Sequence, residues 1–138
     1  MRTRRQFVHT LGAATVALFA PVAFAAQPSV EVIALGHWPV QNALMPVREV
    51  LARYAGKIRI VELDAESPEG EKRLKAVGLK GHIPIALLID GKKTFKLADG
   101  KTVEFVNFPA AAGNPMGQNG AWTVAQFEAA LRAALGEK

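Results

Sequence analysis

The 138-residue chain contains no cysteine, and that one absence removes thiol nucleophiles, disulfides, iron–sulfur ligation and cysteine-based zinc sites together. Serine is scarce as well, with Ser29 and Ser67 alone. No G-x-S-x-G elbow, phosphate-binding glycine loop or dinucleotide fingerprint occurs, and no H-x-H, H-E-x-x-H or carboxylate cluster. Nor is there an apolar run of the roughly 20 residues that a membrane-crossing helix needs; the longest, Leu11 to Ala25, has about 15.

A strong charge of one sign is also missing once its position is considered. The formal net charge is +5, from 17 Lys and Arg against 12 Asp and Glu. Arg2, Arg4 and Arg5 lie in the first five residues, and without these three the balance is 14 against 12, a net +2. The remaining bases alternate with acids or surround turns, as Lys92, Lys93 and Lys96 do. This is a solvated mixed surface, not a stripe that follows nucleic-acid phosphates.

What is present begins with a leader. Residues 1–25 join a basic start, the apolar run and the small-x-small sequence Ala23-Phe24-Ala25, which marks a signal peptide cleaved before Ala26. Within it Thr3-Arg4-Arg5-Gln6-Phe7-Val8 resembles the twin-arginine export signal, through Arg4, Arg5 and Phe7. The resemblance implies export of a folded chain to the periplasm, with no stable membrane span after cleavage.

Residues 26–138 read as one α/β domain. Val30–Leu35, Ile58–Leu63 and Ile83–Ile89 are short β-rich apolar runs suited to strands. Between the first two, Leu44, Val47, Leu51 and Tyr54 fall at helical spacing from Gln41 to Tyr54, with Pro46 as a kink. A β-α-β unit of this kind predicts parallel strands. Ser67 followed by Pro68 caps a second helix that stops at Gly78. Asp90-Gly91 and Asp99-Gly100 are hairpin turns of an antiparallel meander through Phe95–Leu97 and Val103–Val106. Residues 107–121 have no period and read as a long loop, before a capping box at Thr123–Gln126 starts the last helix.

The order β-α-β-α-β-β-β-α resembles the thioredoxin-like superfamily, and two local segments sharpen the likeness. Gly36–Tyr54 is similar to that family's active-site turn and kinked first helix: counting back from Pro46 puts Trp38-Pro39-Val40-Gln41 in the C-x-x-C position, preceded by His37. Val77-Gly78-Leu79-Lys80-Gly81-His82-Ile83-Pro84 is similar to the approach to the family's cis-proline, which would make Pro84 that residue. The resemblance implies a three-layer α/β/α sandwich on a mixed sheet, a βαβ unit plus a ββα unit with one extra hairpin strand. It transfers no catalytic role, because dithiol exchange needs two thiols.

The resemblance also implies what remains. The helix start near Gln41 and Asn42 would offer unpaired N–H groups and the strand edge at Ile83 would hold an extended peptide. The expected binding surface is therefore His37, Trp38, Pro39, Val40, Gln41, Ile83 and Pro84, with a periplasmic peptide or protein as partner. Closing the end of the core is the plainer role for Trp38 and Pro39. The rival function is periplasmic copper binding or cofactor-linked redox work, using His37 and His82 with Met45 or Met116 as a His/Met set. An enzyme using the 107–121 loop as a lid is a third reading, for which the sequence offers no nucleophile or base.

Overall fold

Polar residues alternating with valine, then Ile33 and Ala34, make Ser29–Ala34 (β1) the central strand of the main sheet in the computed structural model, which describes residues 26–110, 114 and 117–137. The leader, with Arg4, Arg5 and Phe7, and also Met116, lies outside these residues. After β1 come Trp38–Ala43 (α1), Met45–Tyr54 (α2), Arg59–Asp64 (β2), Pro68–Ala76 (α3), Ile85–Ile89 (β3), Thr94–Lys96 (β4), Thr102–Glu104 (β5) and Val124–Ala134 (α4). Among the described residues no helix is long and apolar enough to cross a membrane.

The main sheet has the order β2-β1-β3. β1 and β2 run parallel with Val30 opposite Ile60, and β3 runs antiparallel to β1 with Val32 opposite Leu87. β3 is buried at all five positions, as its unbroken aliphatic sequence requires of a strand covered on both faces. β4 and β5 form a separate two-stranded ribbon. Beyond β5 the chain turns onto β3: Leu87 N–H donates to the Phe105 carbonyl at 2.9 Å and Asn107 N–H to the Ile85 carbonyl at 2.8 Å.

Register assigns the helices to faces. Residues paired across parallel strands share a face, so Val32 lies with Glu62 and Glu31 with Val61. Arg48 of α2 reaches Glu62, whereas Arg73 of α3 forms a fork on Glu31, with bonds of 2.6 and 2.7 Å. α2 and α3 therefore cover opposite faces. α4 sits with α2, because Arg53 and Tyr54 both hold Glu128.

The helix expected over Gln41–Tyr54 begins earlier and is divided. Pro39 and Pro46 each fall in a first turn, where the missing N–H is harmless, and Leu44 joins the two pieces. Ser67 caps α3 by accepting the Gly70 N–H, and the Thr123–Gln126 capping box closes in both directions.

The long loop is less free than its composition indicates. Trp122, Phe105, Phe108 and Phe127 are fully buried. Phe105 meets Trp122 and Phe127 edge-to-face at 5.6 and 5.4 Å, a favourable geometry for aromatic pairs. The Trp122 indole N–H is shared between the Val106 and Asn107 carbonyls, at 3.1 and 3.2 Å. Phe108 and Gly120 add backbone bonds that tie the two ends of the loop together.

Candidate functional site

β1 ends where α1 begins, so the residues between them are delivered to one rim of the sheet. The loop before β3 comes to the same rim. Leu35 N–H donates to the Pro84 carbonyl at 3.0 Å, which brings the His82–Pro84 segment beside Gly36–Trp38. The two segments that the sequence singles out are thus neighbours.

Their side chains are used differently. Trp38 opens α1 and is 76% exposed, the most exposed large apolar residue described. His37 is exposed, and Pro39 and Ile83 are half-buried. Val40 is 0% exposed and belongs to the core, so it adds no binding surface: the third residue of α1 points inward as the helix turns. Pro84 is buried too, and its contribution is the carbonyl that holds Leu35. No peptide bond among the described residues is cis. The cis-proline expectation at Pro84 is therefore corrected: the bond before Pro84 is trans, the isomer that X–Pro bonds ordinarily prefer.

Gln41 is also committed. Its amide donates to the Leu35 carbonyl at 2.8 Å and accepts from Arg48 Nη2 at 2.8 Å. Arg48 in turn grips Glu62 with bonds of 3.2 and 3.1 Å. The chain of bonds fastens β1, α1, α2 and β2 to one another behind the exposed tryptophan. The backbone N–H of Gln41 is likewise taken, by the His37 carbonyl at 3.0 Å. The expected open donor at this position is absent because the helix starts at Trp38, three residues earlier.

His37 and His82 are both exposed. The described side-chain partner of His37 is Glu66, at 3.8 Å. Among the described residues no three His, Asp or Glu side chains gather as metal ligands, and no hydrogen bond joins His37, His82 and Met45. Met45 is 56% exposed at the start of α2.

Beside this rim, on the face covered by α3, lies an open cleft of about 450 Å³. Leu35, Leu74 and Leu79 form its floor, and Glu66 and His82 stand on its border. The cleft has no signature in the sequence, because it exists only once the fold brings Leu35 together with the turn that follows α3.

At the far end of α2, Arg53 donates to Glu128 at 2.8 Å and the Tyr54 hydroxyl donates to the same carboxylate at 3.1 Å. The Arg53 bond, chiefly, holds the Glu128 pKa below its ordinary value. Partial burial, then the bond to Glu128, raises that of Tyr54. These groups brace α2 against α4 and lie away from the Trp38 rim.

No protein-family model matches the chain, and no curated protein matches it.

Proposed function

We propose that the chain is an exported, non-catalytic thioredoxin-like module that docks an extended peptide or a partner protein through the rim around Trp38. The observation that carries this reading is a large aromatic side chain left 76% exposed while the polar residues behind it are locked to one another. A tryptophan in water exposes apolar area worth about 25 cal/mol for each Å² that a partner covers, and it loses little conformational entropy on contact. A rigid seat means that little ordering remains to be done on binding.

The thioredoxin-like part of the reading is supported by the parallel β1–β2 pair, the antiparallel β3 and the helices on both faces. The neighbouring positions of Trp38 and Pro84 agree with it as well. Export rests on the leader with Arg4, Arg5 and Phe7. Zero cysteines leave docking, not disulfide exchange, as the use of this rim.

Trp38→Ala and Ile83→Ala variants, used as bait in periplasmic extract, test the proposal. Loss of specific partners that the parent protein retains is the expected result. Identical recovery by parent and variants would contradict it.

A further inference from the structure

The α3-side cleft has a polarity of its own. Glu66 and Glu71 border it at the end where α3 starts, and Lys75 and Lys80 at the end where α3 stops, with the apolar floor between them. Glu71 and Lys75 also suit the dipole of α3, but Glu66, Lys80 and His82 lie outside that helix, so the dipole does not account for them. Among the described residues, Glu71, Lys75, Lys80 and His82 make no side-chain hydrogen bond or ion pair. These exposed groups are solvated and unpaired, in a protein whose other charges mostly find partners, such as Arg73 on Glu31 and Lys93 on Glu104.

We propose that this cleft receives an extended peptide segment of the docked partner, with a basic residue at the Glu66–Glu71 end, an apolar side chain on the floor and an acidic residue at the Lys75–Lys80 end. The assignment rests on the docking role of the Trp38 rim and names its partner's chemistry. Continuity comes from Glu66, which both borders the cleft and faces His37 next to Trp38, and from Ile83, which lines the cleft beside Pro84. The length also fits. From Ser67 to Lys75 the helix rises ~12 Å at about 1.5 Å per residue, the span of about four residues of extended chain. In such a chain residues i, i+2 and i+4 point the same way, so basic, apolar and acidic side chains at those positions all face the cleft.

The probe is the peptide Arg-Ser-Leu-Ser-Glu, compared with the doubly basic Arg-Ser-Leu-Ser-Arg, each titrated into the isotopically labelled protein and followed by amide NMR shifts. The expected result is at least about threefold tighter binding of the first peptide at low salt, the scale of a few exposed ion pairs, with shifts at Lys75, Lys80 and His82. In the variant Lys75→Glu/Lys80→Glu, altered only at exposed unpaired positions, both ends of the cleft are acidic and the doubly basic peptide should bind the tighter. Equal binding of both peptides, no binding, or a preference unchanged in the variant would overturn the proposal. Trp38→Ala separates the two readings. Sensitivity to Trp38→Ala without any charge preference overturns the cleft assignment and keeps the rim. A charge preference that Trp38→Ala leaves untouched supports the cleft, and the rim then stands or falls on the extract experiment with Trp38→Ala.

Discussion

The Leu35 N–H and the Pro84 carbonyl, 3.0 Å apart, join the end of β1 to the start of β3. The same Leu35 accepts the Gln41 amide through its carbonyl. One residue therefore ties the turn carrying His37 and Trp38 to the segment carrying His82 and Ile83, and its own side chain floors the adjoining cleft. The rim is stiff because the backbone of Leu35 is bonded on both sides.

Gln41→Ala removes a donor to Leu35 and an acceptor from Arg48. A net loss of about 1 kcal/mol is expected, measured as a lower denaturant midpoint at unchanged slope. Arg48→Met should have a similar or smaller effect, since the Arg48–Glu62 pair is more than a third exposed and is screened by solvent.

Gly70 lies where α3 crosses β2, and a Cβ there would come within 1.9 Å of the Asp64 carbonyl oxygen. Backbone must move to admit it. Gly70→Ala is expected to destabilise by about 1–3 kcal/mol as an overpacked contact, although alanine favours helices elsewhere. A thermal melt checks this, with Ala76→Gly on the same helix as the contrasting ordinary substitution.

The two tryptophans report separate regions. Trp122 is fully buried and Trp38 largely exposed, so Trp38→Phe should leave a blue-shifted emission resistant to acrylamide, and Trp122→Phe a red-shifted one readily quenched. Trp122→Phe also removes the indole donor shared by the Val106 and Asn107 carbonyls. A loss of about 1–3 kcal/mol is expected, as for a broken buried hydrogen bond.

The α2–α4 brace gives stability a dependence on pH. The folded-state pKa of Glu128 is lowered from its ordinary 4.5, so its contribution is complete above that value and is lost as pH falls through the lower folded value. Tyr54 is raised above its ordinary 10.0, so its contribution holds below that value and is lost as pH rises through the higher folded one. Denaturation midpoints of Glu128→Gln should fall less steeply than those of the parent on acidification below pH 4.5. Parallel slopes would contradict the assignment.

Much of the frame was legible because its signals are local. Ser67 with Pro68, Thr123 with Gln126, and the Asp90-Gly91 turn, where both residues have positive φ, carry their geometry in two to four neighbouring residues. The packing of Trp122 on Phe105 and the tie from Gln41 through Arg48 to Glu62 join residues 7 to 17 positions apart, and no short pattern announces them. The loop at 107–121 looked free for that reason: its glycines and asparagines were visible, its anchors were not. The site was partly legible. The Leu35–Pro84 bond sets the His82–Pro84 segment beside the turn that leads to Trp38, whereas Val40 is turned inward, Gln41 is engaged, and the bond before Pro84 is trans.

The most direct test of the docking claim is photo-crosslinking in living host cells, with p-benzoylphenylalanine replacing Trp38 and, in a second strain, Lys96 on the exposed β4 ribbon. The account predicts a discrete cross-linked species from position 38 and none from position 96. Cross-linking that is absent from position 38, or equal from the two positions, would contradict it.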